Sequence, residues 1–151
     1  AGGCELVLAC DLVVASPNAS FGLPEVKRSL VAMAGGTTRL PKRVPQNIAM
    51  EMALTGDTIT AERAQQHGLV NILCEPGEAI NEALSIAERI NSNAPLAVRA
   101  TRKAVLEGAM VDDDEGIRIA VELFTPVAKS EDAKEGPLAF VEKRSPEWKA
   151  R

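Results

Sequence analysis

The residue types with the most chemical potential lie near the start of the sequence, in AGGCELVLACDLVVAS at positions 1–16. Gly2 and Gly3 precede a nearly all-apolar run, Cys4 to Cys10, in which Glu5 is the one charged residue. If that run is helical, the two glycine N–H groups point outward at the positive end of its dipole, where they stabilise an anion or a developing oxyanion. A glycine pair is equally an ordinary tight entry turn. Glu5, one turn in, either reaches solvent or is buried for a purpose, since an unpaired buried charge is costly. Glu25 follows Pro24 at what reads as the next helix start, where it serves either the helix dipole or chemistry. Together, donors at a helix start, a carboxylate just after them and a second carboxylate opening the next helix can surround one small space. Such a space can hold a carbonyl and two proton-transfer groups.

The elements that must position these residues alternate in type. Cys4 to Cys10 reads as a short helix, Asp11 to Ala15 as a buried strand closed by the turn Ser16-Pro17-Asn18, and Ala19 to Gly22 as a second strand. Gly35-Gly36 breaks the pattern. Helical periodicity returns from Thr37 to Arg43 and from Gln46 to Leu54, in pieces divided by Pro41 and Pro45. Thr60 caps a helix from Ala61 to Gln66 that stops at His67-Gly68-Leu69, with His67 as a C-terminal cation or hydrogen-bond donor. Val70 to Cys74 is a further strand.

Beyond residue 77 the strand signals stop. Ile80, Ala83, Leu84 and Ala87 fall at helical spacing, as do Ile117, Ala120, Val121 and Phe124, and between them a helix opens at Pro95 and ends at Gly108. Asp112 to Glu115 caps the helix that follows it. Ser130-Glu131-Asp132 starts a last helix that Gly136-Pro137 must interrupt or restart. The expected organisation is α/β over residues 1–77 and all-helical over 78–151.

Composition narrows the class. The chain has 151 residues, 46% of them hydrophobic and 25% charged, the balance of a soluble globular protein. Aromatic residues make up only 3% and the net charge is -4, so stacking platforms and a phosphate-binding surface for nucleic acid are not expected. Cys4, Cys10 and Cys74 lack zinc-ligand spacing and sit among apolar neighbours, as small buried hydrophobes do; no metal is expected, and a reducing cytoplasm is. The sequence carries no membrane-span or export signal. Lys27, Arg28 and Arg39 read as surface or structural side chains.

At AGGCELVLACDLVVAS and ASFGLPEVKRSLVAMAGGTTRL the sequence resembles the signature region of the enoyl-CoA hydratase/isomerase (crotonase) family. The resemblance continues through MALTGDTITAERAQQHGLVN, NAPLAVRATRKAV and EGPLAFVEKRSPEW, essentially the whole chain. It implies the second half of a crotonase-type ββα spiral over residues 1–77, then a helical segment over 78–151 that forms trimers, commonly paired into hexamers. Family members carry a long segment before this loop, so the chain is expected to be the C-terminal part of a longer protein and to be inactive alone.

The resemblance also implies a mechanism. Two backbone N–H groups hold a thioester carbonyl and stabilise an enolate-like transition state; Gly2 matches one donor, beside Gly3, and the other lies upstream. Glu5 and Glu25 match the two glutamates that grip a water in hydratases, the first as base on that water and the second as acid toward the α-carbon. Retention of both favours syn hydration of a trans-2-enoyl-CoA in acyl-CoA breakdown. An isomerase, another thioester-enolate enzyme or a non-catalytic assembly module are the alternatives. No cofactor is implied, because coenzyme A arrives with the acyl-CoA substrate.

One position departs from the family pattern. Met33 stands where hydratases carry a glycine close to the catalytic water, and it either fills the core or faces the pocket, where it narrows the acyl channel or displaces that water. Phe140 and Lys143 match positions that approach coenzyme A bound to a neighbouring subunit, or they serve interface packing and solvation.

Overall fold

The computed structural model describes all of residues 1–151, and they divide into two compact units, Ala1–Ser85 and Ile86–Arg151. The first unit carries every strand. In order it contains α1 (Gly2–Ala9), β1 (Val14–Ala15), β2 (Ser20–Phe21), a 3-10 helix at Pro24–Arg28, α2 (Gly36–Arg39) and a 3-10 turn at Leu40–Lys42. It continues with α3 (Gln46–Thr55), β3 (Ile59–Thr60), α4 (Ala61–Gln66) and β4 (Ile72–Leu73). Helix α5 (Ala79–Asn91) runs from the first unit into the second, which holds α6 (Pro95–Gly108), α7 (Asp113–Ala128) and α8 (Asp132–Glu142). The α/β expectation is met, with strands shorter than the sequence suggests. No helix is long and apolar enough to cross a membrane.

Two small ladders order the first unit. β1 pairs in parallel with β4, Val14 opposite Ile72, and β2 pairs antiparallel with β3, Phe21 opposite Ile59. The run Asp11 to Val13 lies before the ladder: Val13 N donates to Asn71 Oδ1 at 2.8 Å, Val13 O accepts from Asn71 N at 2.9 Å, and Arg43 Nη1 donates to Asp11 O at 3.1 Å. Strand β3 was hidden in the sequence, since Thr60 reads only as a cap. It is both: Thr60 pairs with Ser20 and its Oγ1 accepts from Arg63 N at 3.2 Å. At the other end of α4, Leu69 N donates to Ala64 O at 2.9 Å and Gly68 N to Gln65 O at 3.0 Å, the paired bonds of a left-handed stop with His67 at the cap. Leu69 is then fully buried, in a core that includes Leu8, Leu23, Leu40 and Met52.

Of the cysteines, all free, only Cys4 is buried; Cys74 is half-buried. Cys10 is exposed, contrary to expectation, because it follows the last turn of α1.

In the second unit the apolar stripes form but this chain leaves them uncovered. No residue of α6 or α7 is buried, and Ile117, Val121 and Phe124 are all exposed. α6 and α7 pack on each other where glycine permits close approach, a Cβ built on Gly116 lying 3.7 Å from the Gly108 Cα. Asp112 caps α7 by accepting from Glu115 N at 3.0 Å.

Helix α8 corrects one expectation. It runs unbroken through Gly136-Pro137 because the C-terminal tail clasps it. Ser130 Oγ accepts from Ala133 N at 3.1 Å as a cap, and the buried Asp132 carboxylate accepts from Lys149 N at 2.7 Å and Ala150 N at 3.1 Å. Trp148 lies against Gly136, 3.4 Å from where a Cβ would stand, and its Nε1 donates to Ser92 O at 2.8 Å. These contacts outweigh the one backbone bond that a proline removes.

Glu135 joins the same clasp. Its carboxylate accepts from Arg144 at 2.6 and 2.9 Å and from Glu147 N at 2.8 Å. The Arg144 guanidinium first, then the Glu147 N–H, hold its pKa down from 4.5 to about 2. A carboxyl depressed in the folded state stabilises it fully above its ordinary value and loses that contribution as pH falls through the depressed one. Trp148, the only tryptophan, reports on the tail. Its emission is expected to hold steady above pH 4.5 and shift to the red as pH falls toward about 2. Arg144→Met should move that transition up toward the ordinary carboxylate value, which a fluorescence titration measures.

Candidate active site

The start of α1 places its first candidates at the surface and the next one inside. Gly2 and Gly3 are exposed and occupy the first helical turn, where N–H groups have no intrahelical acceptor. Cys4 and Glu5 follow on the buried side, so Glu5 does not reach solvent. Its burial is compensated: Glu5 Oε1 accepts from Gly36 N at 2.9 Å. Gly36 opens α2, so the carboxylate meets a donor that the short helix leaves free. Gly35-Gly36 is thus more than a break in the pattern, since it supplies that donor. The signal was a glycine followed by a helix, without any hint of which side chain it would serve.

Gly36 is also a packing constraint. A Cβ there would stand 2.7 Å from Ala32 Cβ and 3.0 Å from both Leu23 methyl groups. Leu23 precedes the 3-10 helix Pro24–Arg28 that carries Glu25. One residue therefore holds the Glu5 carboxylate through its N–H and seats the Glu25 turn through its bare Cα.

Glu25 itself is mostly shielded, with 15% of its side chain exposed, and its Oε1 lies 3.9 Å from Ala1 N, next to the Gly2 donor. Its Oε2 is the one buried side-chain polar atom without a hydrogen-bond partner. Leaving such an oxygen unpaired costs about 1–3 kcal/mol, more when charged, and native folds retain such groups where something else pairs with them.

Cys4 locates both acids relative to one atom. Burial pushes its thiol pKa up, and the nearby Glu25 and Glu5 carboxylates push the same way, against the Gly22 backbone. Both acids thus lie within electrostatic reach of the same sulfur. The Gly22 carbonyl accepts from Ala1 N at 2.6 Å, which ties β2 and the Glu25 turn to the start of α1. The cluster combines outward backbone donors, a carboxylate held by one hydrogen bond and a carboxylate with an unpaired oxygen, a set able to bind an anion and exchange protons.

The remaining candidates are dispersed. Met33 is 90% exposed on the loop before Gly36, so it does not fill the core. Phe140 is 84% exposed on α8, and Lys143 follows that helix in a left-handed conformation at φ 55°. Both belong to the second unit. Lys27, read as a surface side chain, pairs with Asp57 at 2.6 Å.

Comparison with known proteins places the chain in a family. The family model described as enoyl-CoA hydratase/isomerase matches residues 1–151. The chain is 42% identical over 154 residues to carnitinyl-CoA dehydratase of Proteus mirabilis, covering 99% of this chain and 59% of that protein. It is 45% identical over 148 residues to (E)-benzylidenesuccinyl-CoA hydratase of Thauera aromatica, covering 98% of this chain and 58% of that one. The crystal structure of enoyl-CoA hydratase from Mycobacterium tuberculosis H37Rv superposes with a TM-score of 0.97 at 51% identity, over 100% of this chain and 60% of the other. The chain belongs to the enoyl-CoA hydratase/isomerase family and has the corresponding part of the crotonase fold. It spans about 60% of the length of the relatives it matches.

The double role of Gly36 sets a test. Gly36→Ala forces a methyl group into Ala32 and Leu23, and overpacking of this kind costs about 1–3 kcal/mol. The unfolding midpoint in urea should fall accordingly, and a crystal structure of the variant should show the Glu25 turn displaced together with Leu23.

Proposed function

We propose that the protein of which these residues form part hydrates a trans-2-enoyl-CoA thioester. In this reading Gly2 N–H donates to the thioester carbonyl, and the part of the relatives' length that this chain does not span supplies the second donor. Charge moving onto the carbonyl oxygen is then stabilised by preorganised dipoles that need not reorient during reaction. Glu5, oriented by Gly36, takes a proton from the attacking water. Glu25 delivers a proton to the α-carbon, so that oxygen and hydrogen add to the same face. Gly3 lets the backbone approach the thioester, and Met33 borders the acyl group.

The observation that supports this most strongly is the buried Glu25 Oε2 without a hydrogen-bond partner, on a carboxylate whose other oxygen lies 3.9 Å from Ala1 N at the start of α1. A water gripped between this oxygen and Glu5 would satisfy the orphaned acceptor and serve as the nucleophile. The matched relatives named as hydratases and dehydratases of CoA thioesters support the reaction class.

In the same reading residues 78–151 form the oligomerisation segment of a trimer or hexamer. The exposed stripe of Ile117, Val121 and Phe124 supports an assembled state, since burying each such side chain gains about 1.5–3 kcal/mol. Phe140 and Lys143 then approach coenzyme A on a neighbouring subunit.

Glu25→Gln in the complete protein should lower hydration of crotonyl-CoA at least about a hundredfold, or about 2–4 kcal/mol of barrier, while thioester binding persists. Loss of the enoyl thioester absorbance measures the rate. Near-normal turnover, or consumption of a 3-enoyl-CoA in place of crotonyl-CoA, would reject the assignment.

A further inference from the structure

The Gly36 donor needs support of its own, because α2 is only four residues long and opens from an irregular loop. Gly35, the residue before it, has φ 115°, a conformation that side chains with a Cβ rarely adopt. The open face of Gly35 is filled from outside. A Cβ built there would stand 1.9 Å from Arg39 Nη1 and 2.7 Å from its Cζ, so the guanidinium lies directly over the glycine. Arg39 Nη1 also donates to Ala34 O at 3.0 Å, and Arg39 N donates to Gly35 O at 2.8 Å. On the loop's other side, Thr37 N donates to Ala32 O at 3.2 Å.

We propose that Arg39 is a positioning residue for Glu5: it closes over Gly35 and ties down the Ala34 carbonyl, so that Gly36 presents its N–H to Glu5 Oε1. The inference rests on the reading of Glu5 as the base. Its physical logic is a lever of two peptide units. Holding the Ala34 carbonyl fixes the plane of the peptide entering Gly35, and capping the glycine's free face removes the alternative conformations that glycine otherwise samples. The direction of the Gly36 N–H follows. A planar guanidinium suits both tasks, because one face can lie on the backbone while an edge donates.

The test uses the full-length protein with crotonyl-CoA. Arg39→Met should lower kcat about 10- to 100-fold, the scale of a displaced catalytic group, with KM changed less than about twofold. Arg39→Lys retains a donor for the Ala34 carbonyl and should recover part of the loss, which a purely structural role would not produce at constant KM. A crystal structure of Arg39→Met should show the Gly36 N to Glu5 Oε1 separation open beyond about 3.5 Å. Wild-type kcat in both variants, or an intact hydrogen bond in the Arg39→Met structure, would overturn the proposal. If the wild-type protein hydrates nothing, the proposed function fails, and the crystallographic measurement still decides the role of Arg39.

Discussion

A buried carboxylate must be paired, and here the pairing of Glu5 with the Gly36 N–H at 2.9 Å organises everything around it. The donor exists because a short helix begins at Gly36, and a helix start always leaves N–H groups unclaimed. The acceptor is inside because α1 turns Cys4, Glu5 and Leu8 toward the core. Removing either would leave the other as a buried polar group without a partner. The bond therefore determines how α1 and the loop 32–36 sit together, and through the contact of Gly36 with Leu23 it reaches the turn that carries Glu25.

The two acids are treated differently by their surroundings. Glu5 has a backbone donor, and Glu25 keeps a buried oxygen that no protein group satisfies. Such a contrast suits a pair of carboxylates with separate tasks, since one is oriented beforehand and the other is left able to pair with what arrives. Near both, the Cys4 thiol has its pKa raised, first by burial and then by the two carboxylates.

The two units earn their order by different means. The first has an apolar core of its own, from Cys4 to Val70. The second relies on polar ties, with Asp132 and Glu135 gathering backbone and guanidinium donors from the C-terminal tail, while its long helices keep their apolar stripes exposed. Stripes at helical spacing that a chain does not bury itself are surfaces built for contact. In the proposed assembly they are where a trimer would form.

Local chemistry was legible in the sequence. Thr60 capping Arg63, the stop at Gly68 and the Asp112 cap each join residues a few positions apart, so residue type and spacing alone determined them. The same holds for the alternation of helix and strand before residue 77 and for the apolar helical stripes after it. What only the tertiary structure decided lies between distant segments: the burial of Glu5 and its bond to Gly36 across 31 positions, the pairing of Ser20 with Thr60, and a tail strong enough to carry α8 through Pro137. A glycine's missing side chain and a backbone N–H carry no label for the partner they will meet. That partner is chosen by packing, which sums contacts over the whole fold.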